Sequence, residues 1–295
     1  MEGEFVLYGA IEAGGTKFVC AVGDRNFEVT QKVSFPTRTP EETMNKVYEF
    51  FNRYNLKSIG IGSFGPIDLI PESSTYGYIK NTPKDRWKNF DFLGSLKAKY
   101  DIPIGWSTDV NIAALGEAIK GAGKGLDNIL YLTVGTGIGG GAIIKGNILE
   151  GVGHPEMGHI MIKPHPDDKF EGLCPFHSNC LEGMASGPTI EARLGKKGKE
   201  ICNTNVVWVY LADYIAQALF NYTLILSPNK IILGGGVMKN MYLVEQIKNK
   251  LKEKLDDYIT IPPINQYITT PNQGDDCGII GGFILADRVL KKVCR

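Results

Sequence analysis

Apolar and polar residues alternate along the chain in blocks that predict strands and helices in turn. In the first part of the chain, apolar runs predict strands at residues 5–11, 18–22, 27–35, 58–62 and 102–106. Apolar residues at helical spacing predict one helix that begins at residues 39–42. Two further helices are predicted near 91–100 and at 112–120. Strands and helices that alternate in this way are typical of an α/β domain.

The same pattern then starts again. A strand at 128–134, a glycine-rich turn at 135–141 and a strand at 142–144 repeat the strand, turn and strand of residues 5–22. Further helices and strands are predicted at about 205–226, 230–233, 240–256 and 279–293. We therefore expect an internal duplication of this motif, with two similar halves that face each other across a cleft.

This duplication predicts two α/β domains. The first comprises residues 1–115 together with a C-terminal helix at about 279–295, and the second comprises residues 116–278. Within the second domain, a segment at about 154–183 is rich in His, Pro, Cys and Gly and has no clear periodicity. Such a segment needs something other than apolar burial to fix it.

Composition and charge narrow the range of partners. The chain has 295 residues, of which 43% are hydrophobic and 22% charged, a balance that fits two globular domains. Lys and Arg together number 32, as do Asp and Glu, so no overall field attracts nucleic acid or an anionic membrane. The N-terminus lacks a signal-peptide pattern, and no apolar run is long enough to span a bilayer. These features predict a cytoplasmic protein that binds neither nucleic acid nor membrane.

Three glycine-rich turns follow apolar strands, at Gly14-Gly15, at 135–141 and at Gly234–Gly236. Glycine lets backbone N–H groups approach an anion, and Thr16 and Thr136 add hydroxyl donors. None of the three matches the P-loop pattern, and the middle one is followed by a strand where a dinucleotide-binding fold requires a helix. Three such turns together favour a phosphate ligand over simple hairpin turns.

One aspartate is placed to act as a base. Asp109 follows the predicted strand 102–106, where a carboxylate can reach a cleft and accept a proton from a sugar hydroxyl. Asn111 can then bind a sugar hydroxyl. On position alone, an equally good interpretation is that Asp109 caps the helix at 112–120.

The histidines and two cysteines cluster in one short segment. All four histidines lie within 154–177, and Cys174, His177 and Cys180 stand at a spacing of three residues. Thiolate and imidazole in tetrahedral number select zinc, and four protein ligands mark a structural site. The fourth ligand is taken as His159, with His154 and His165 as competitors. The alternative is a pair of free thiols and surface histidines.

Two glutamates flank this cluster. Glu156 and Glu182 lie where the metal site could direct them towards a polyol, since carboxylates accept hydrogen bonds from sugar hydroxyls. The alternative is that both are ordinary exposed glutamates that bind no ligand, and the composition of the chain does not reject it.

Several of these motifs resemble one family. The motifs are Glu12–Lys17, Thr133–Gly140, His154–His159 and Cys174–Glu182. They resemble the repressor–ORF–kinase (ROK) family of sugar kinases, and the resemblance extends from residue 8 to about 285. The pieces that resemble its bacterial fructokinase branch are Glu12-Ala13 before the glycines, Ser63–Asp68, Thr75–Tyr78, Thr82–Lys84 with Trp87, and Asp109–Asn111.

The resemblance implies an α/β, two-domain, actin-like and hexokinase-like (ribonuclease H-like) ATPase fold with a small zinc-clamped insert. It implies that Asp109 is the catalytic base and that the chain forms a homodimer. The residues implied to bind ATP are Gly14, Gly15, Thr16, Lys17, Gly135, Thr136, Gly137, Pro188, Gly234, Gly235, Gly236 and Val237. Those implied to bind the sugar are Gly65, Pro66, Asn111, Glu156, His159 and Glu182. Those implied to bind zinc are His159, Cys174, His177 and Cys180.

Two positions depart from the common family pattern. Many relatives carry Asp where this chain has Glu12, and a cysteine where it has His177. The fructokinase branch shares both features, so they point to fructose. The expected activity is phosphorylation of D-fructose to fructose 6-phosphate by Mg²⁺-ATP. The alternatives are a mannose or glucose kinase of the same family and a non-catalytic sugar sensor.

Overall fold

The computed structural model describes residues 6–294, so Phe5, where the first predicted strand begins, lies outside it. In chain order, the elements are β1 (Leu7–Ala13), β2 (Lys17–Gly23), β3 (Val29–Pro36), α1 (Pro40–Phe51), β4 (Leu56–Ser63), β5 (Tyr78–Ile79), β6 (Phe90–Asp91), α2 (Phe92–Lys97), β7 (Ile104–Thr108), α3 (Asp109–Lys120), β8 (Ile129–Val134), β9 (Ile138–Ile144), β10 (Asn147–Ile148), α4 (Leu181–Ala185), α5 (Gly187–Leu194), α6 (Val207–Leu226), β11 (Lys230–Gly234), α7 (Met241–Leu255), α8 (Ile264–Tyr267), β12 (Ile268–Thr269) and α9 (Cys277–Val293).

The chain forms two compact units, each built around its own sheet. The first unit holds the described residues up to Lys124, the segment Ile148–His154 and the described residues from Asn272 onwards. The second unit holds Gly125–Asn147 and Pro155–Pro271. The chain therefore leaves the first unit and returns to it more than once.

The sheet of the first unit has the strand order β3-β2-β1-β4-β7. Strands β1, β2 and β3 are antiparallel neighbours, whereas β4 and β7 run parallel to β1. Residues on both faces of this sheet are buried: Ile11 belongs to a core that includes Phe51 of α1, and Ala10 to a core that includes Phe283 of α9. Burial on both faces explains why β1 and β2 read as continuous apolar runs, whereas the edge strand β3 is largely exposed and more polar.

Helices α3 and α9 cross in the first unit with their backbones in direct contact. A Cβ atom added at Gly281 would overlap the carbonyl oxygen of Ile112, and one added at Gly116 would overlap that of Cys277. Only glycine permits this approach at both positions. The crossing holds α3 firmly, and α3 begins at Asp109.

The sheet of the second unit repeats this arrangement. Its strand order is β10-β9-β8-β11-β12, with β8 and β9 antiparallel and β11 and β12 parallel to β8. The predicted duplication is thus confirmed at the level of topology. The predicted turn at 135–141 is shorter than expected, because Gly139–Gly141 are strand residues of β9 that pair with Tyr131–Thr133 of β8.

The other predicted elements are present with small shifts of their ends. The largest change is at α3, which begins at Asp109 rather than at residue 112 because Thr108 caps it. None of the helices in the described part of the chain is both long and apolar enough to cross a membrane.

Candidate functional site

The predicted site residues of the first unit gather at one edge of its sheet. Parallel pairing aligns Ala13 of β1 with Ser63 of β4, and Ser63 with Thr108 of β7. The residues that follow these strands therefore leave the sheet side by side. They are Gly14, Phe64 and Asp109, and the N–H of Phe64 donates to the carbonyl of Ala13 (2.7 Å).

The first glycine turn is tightly closed. The N–H of Gly14 donates to the carbonyl of Lys17 (2.9 Å), and a Cβ atom at Gly14 would lie only 2.9 Å from that oxygen. The hydroxyl of Thr37 donates to the carbonyl of Gly14 (2.7 Å), and the N–H of Thr37 donates to the carbonyl of Thr16 (3.0 Å). This turn is a rigid backbone loop, as a phosphate cradle requires.

Asp109 is the first residue of α3 but does not provide its side-chain cap. The hydroxyl of Thr108 accepts the N–H of Asn111 (3.1 Å), so the capping role considered for Asp109 belongs to Thr108. The Oδ1 atom of Asp109 accepts the N–H of the next residue, Val110 (2.8 Å). Asp109 therefore lies in the first turn of α3, where its carboxylate accepts one backbone N–H of that turn.

Asn111 is buried beside Asp109 with one polar atom unsatisfied. Its side chain is 1% exposed, and its amide Nδ2 donates to the hydroxyl of Ser107 (3.2 Å). The carbonyl oxygen Oδ1 is one of two buried side-chain oxygens in the described residues that have no hydrogen-bond partner. An unpartnered buried acceptor is costly, and a hydroxyl donor from a ligand would satisfy it.

The loop after β4 carries the other sugar-binding candidates of this unit. The Gly65–Pro66 peptide bond is cis. The N–H of Ile67 donates to Nε2 of His154 (3.2 Å), which places this histidine against the loop. His154 is therefore not part of the His/Cys cluster for which it was considered.

The nucleotide candidates of the second unit also converge on one sheet edge. Parallel strands β8 and β11 end together, with Gly234 opposite Thr133. Gly235 has a φ of +91°, and a Cβ atom there would lie 2.7 Å from the hydroxyl oxygen of Thr133. Both the left-handed backbone and the close approach require glycine.

Helix α5 begins against the same edge. The N–H of Gly187 donates to the carbonyl of Gly135 (2.7 Å), and Pro188 occupies the first turn of the helix. A Cβ atom at Gly187 would lie 3.6 Å from Val237. The predicted residues that meet at this edge are Gly135, Thr136, Gly137, Pro188, Gly234, Gly235, Gly236 and Val237.

The four predicted zinc ligands form a compact cluster in the second unit. The ligand atoms of His159, Cys174, His177 and Cys180 all lie within 4.8 Å of one another. The Nδ1 atom of His159 lies 3.6 Å from Sγ of Cys174 and 3.5 Å from Sγ of Cys180. A tetrahedral zinc ion with ordinary bond lengths would separate sulfur and nitrogen ligands by about 3.6 Å. The donor set and its spacing therefore fit this ion.

The competing histidine His165 has other contacts. Its Nδ1 atom accepts the N–H of Asp167 (3.2 Å), and its ring packs on that of Tyr210 at 5.0 Å.

Burial raises the pKa of the Cys180 thiol to about 11, and Cys174 and Glu182 act in the same direction. At neutral pH the thiol keeps its proton unless a bound cation displaces it.

Glu182 connects the His/Cys cluster to the glycine turn of the second unit. Its Oε2 atom accepts the N–H of Ile138 (2.8 Å), directly after the turn 135–137. Its Oε1 atom lies 3.9 Å from Nε2 of His159. His159 therefore directs one ring nitrogen to the thiols and the other towards Glu182.

Glu156 is exposed at the start of the short 3₁₀ turn Met157–His159.

Sequence reasoning missed a buried ion pair that joins the segment carrying the His/Cys cluster to α5. The guanidinium of Arg193 donates to Asp168 (2.7 Å), and their side chains are 7% and 4% exposed. The hydroxyl of Tyr214 also donates to Asp168 (2.7 Å), and Arg193 stacks on Phe170. Together these bonds keep the pKa of Asp168 below its usual value despite its burial. No periodicity or motif marks these residues, so the sequence offered no signal for them.

Glu12, which the sequence indicates only as a feature of the fructokinase branch, has a buried carboxyl group. Burial raises its pKa to about 7, while the nearby cation Lys17 lowers it. The carboxylate faces the first turn of α9, where a Cβ atom added at Gly278 would lie 2.7 Å from it. It lies in β1, one residue before Ala13 and two before the glycine turn.

Comparison with known proteins agrees with this arrangement. The chain is 48% identical over 286 residues to a fructokinase of Pediococcus pentosaceus, covering 97% of this chain and 99% of that one. It is 48% identical over 290 residues to a fructokinase of Lactococcus lactis subsp. cremoris, with coverage of 97% and 99%. Among solved structures, it is similar to a ROK hexokinase from Thermus thermophilus, with a TM-score of 0.80, 25% identity and coverage of 98% and 99%. The model of the ROK family matches residues 8–289, and the chain belongs to this family.

Proposed function

We propose that this chain is an ATP-dependent fructokinase that converts D-fructose to fructose 6-phosphate. The observation that carries the proposal is the set of strand ends: glycine turns follow β1, β8 and β11, and Asp109 follows β7. Phosphoryl transfer to a hydroxyl group requires donors that bind the phosphate and a base that accepts the hydroxyl proton. The backbone N–H groups of the turns are such donors, and the carboxylate is such a base. The full-length relatives named fructokinase support fructose as the sugar.

In the proposed reaction, Asp109 accepts the proton of the C6 hydroxyl as its oxygen attacks the γ-phosphorus of ATP. The backbone N–H groups of the glycine turns and the hydroxyl of Thr136 stabilise the charge on the phosphoryl oxygens. Lys17, next to the first turn, adds a positive charge to that side. Mg²⁺, which accompanies ATP, supplies further neutralisation when it is bound.

The sugar is oriented by polar groups at two places in the chain. In the first unit, the unpartnered Oδ1 of Asn111 is the acceptor for one sugar hydroxyl, and the backbone at Gly65-Pro66 lines the same strand edge. In the second unit, Glu156, His159 and Glu182 accept further hydroxyls. These hydroxyls fix the substrate so that its reactive oxygen approaches the phosphorus in line.

The His/Cys cluster is proposed to hold a structural zinc ion. Four protein ligands complete a tetrahedral shell and leave no position for a reactive water. The ion would fix a segment with few apolar contacts of its own and would orient His159 and Glu182. A homodimer and a cytoplasmic location complete the proposal.

A release assay for ADP tests the proposed function directly. With Mg²⁺-ATP, the kcat/KM value for D-fructose should exceed those for D-mannose and D-glucose by at least about tenfold. A preference for mannose or glucose would identify the sugar kinase of the alternative interpretation. Release of no ADP above background with any hexose would instead favour the sugar sensor.

A further inference from the structure

The segment Thr82–Trp87 lies beside the first glycine turn, and the reaction described above gives it no role. A Cβ atom added at Gly15 would lie 3.6 Å from Cε of Lys84. The aliphatic part of the lysine therefore covers this turn, and its ammonium group is one bond further on. Among the residues that the structure describes, no other side chain comes within 4 Å of that added atom.

The segment is held firmly although Lys84 itself is exposed. Trp87 is 1% exposed, and its indole N–H donates to the carbonyl of Arg38 (2.7 Å). The Trp87 ring packs on those of Phe18 and Phe64 at centroid distances of 5.3 and 5.8 Å. Thr82 is 4% exposed, and its hydroxyl accepts the N–H of Lys84 (3.3 Å). These contacts set where the lysine emerges, so its position over the turn follows from the core.

The local charge favours an anion. The cavity beside this segment has a volume of about 540 Å³ and is lined by the three cationic residues Arg38, Lys84 and Arg86, with Glu42 and Asp85 as its acidic residues. Arg38 lies 3.7 Å from Glu42 and is thereby partly neutralised. Within the described residues, Lys84 forms no salt bridge, so its charge is available to a ligand.

We propose that Lys84 is a catalytic residue that binds the phosphoryl group during its transfer. The proposal rests on the proposed function, because it takes the turn at Gly14-Gly15 as a phosphate cradle. As the bond forms between the C6 oxygen and the γ-phosphorus, the bond from that phosphorus to the β,γ-bridging oxygen breaks, and the sugar proton passes to Asp109. Lys84 takes no part in the proton transfer, and its positive charge neutralises charge on the transferring oxygens.

The strand geometry allows both residues to act on one phosphoryl group. Strand β4 separates β1 from β7, so their ends lie two strand spacings apart, which is roughly 10 Å. A phosphorus atom over the first turn and a sugar oxygen beside Asp109 fit within this span. An ammonium group at the turn would therefore meet the phosphoryl oxygens, and a carboxylate at β7 would meet the sugar.

The experiment compares Lys84→Met with Lys84→Arg and with Lys88→Met. Methionine keeps the apolar cover over Gly15 and removes only the charge, whereas arginine keeps the charge. Lys88 is an exposed lysine of the same loop and serves as the matched control. We expect Lys84→Met to lower kcat by about 10²- to 10³-fold, with KM for fructose and the thermal midpoint unchanged. Lys84→Arg should regain most of the loss, and Lys88→Met should match the wild type.

A binding measurement separates this proposal from the proposed function. The complex of ADP with aluminium fluoride mimics the transferring phosphoryl group, and its affinity can be measured without turnover. The affinity of Lys84→Met for ADP–aluminium fluoride should fall at least about tenfold, while its affinity for ADP stays within about twofold of wild type. An unchanged kcat in Lys84→Met, an equal loss in Lys88→Met, or equal affinities for the mimic would overturn the role of Lys84. Wild-type protein that releases no ADP with any hexose would overturn the proposed function, whatever the binding result.

Discussion

At the residue scale, the structure assigns the side-chain cap of α3 to Thr108, and the role of Asp109 as a base stays a prediction. The sequence places a threonine and an aspartate in succession before a helix, and either side chain can cap it. The hydroxyl of Thr108 makes the cap bond to the N–H of Asn111, and the carboxylate of Asp109 accepts the N–H of Val110. Which of two adjacent capping residues bonds the helix depends on backbone angles that no sequence pattern reports.

Asp109→Asn should abolish most of the catalysis without unfolding the protein. The amide keeps the shape of the side chain but cannot accept the sugar proton, so kcat should fall by about 10²- to 10⁴-fold. Fructose affinity, measured by calorimetry, and the thermal midpoint should remain near those of the wild type. Asp101→Asn, at an exposed aspartate of the same unit, is the control and should be fully active. Near-normal kcat in Asp109→Asn would remove Asp109 from the role of base.

Glu12 should make stability depend on pH. Because burial raises its pKa from 4.5 to about 7, the folded state holds this proton more tightly than the unfolded chain does. The contribution of this group to the free energy of unfolding is fully present below pH 4.5 and is lost as the pH rises through 7. The loss amounts to up to about 3 kcal/mol. Urea unfolding of the nucleotide-free protein at pH 5 and pH 8 measures this loss.

Glu12→Gln is the matching variant, since glutamine does not titrate. Its unfolding free energy should fall less between pH 5 and pH 8 than that of the wild type. Glu49→Gln, at an exposed glutamate of α1, should keep the wild-type pH dependence. Equal pH dependence in Glu12→Gln and the wild type would contradict the raised pKa.

At the element scale, strands and helices with strong periodicity could be predicted, and the segment that carries the His/Cys cluster could be predicted only in part. The spacing of Cys174, His177 and Cys180 pointed to a metal site, and the structure brings His159 to them. The ion pair of Asp168 with Arg193 lay outside any prediction, because residues 25 apart in an aperiodic loop and a helix share no pattern. Its placement depends on tertiary packing alone.

The His/Cys cluster predicts one zinc ion per chain and a loss of stability without it. Cys180→Ser should remove the metal and lower the thermal midpoint by at least about 5 °C, because the segment then lacks its cross-link. A strong chelator should have the same effect on the wild type, and elemental analysis gives the metal content of each sample. Cys202→Ser, at an exposed cysteine outside the cluster, should retain the metal and the midpoint. Active, folded wild-type protein with no bound metal would refute the site.

At the scale of the whole molecule, duplication of a strand, turn and strand was visible in the sequence. The two sheets repeat it with corresponding strand orders, and β8, β9, β11 and β12 pair in the same directions as β1, β2, β4 and β7. The glycine turns at their edges were visible too, because each follows a continuous apolar run. The two helices α3 and α9 were predicted separately, but their contact through Gly116 and Gly281 was not, since glycines in helices also occur without such a crossing.

The most direct test of the account is to identify the product formed from D-fructose and Mg²⁺-ATP. Phosphorus NMR of the reaction mixture, with authentic sugar phosphates as standards, shows which oxygen receives the phosphoryl group. We predict fructose 6-phosphate in a one-to-one ratio with ADP, and none above background with Asp109→Asn. Phosphorylation at another carbon, or ADP formed without any sugar phosphate, would contradict the account.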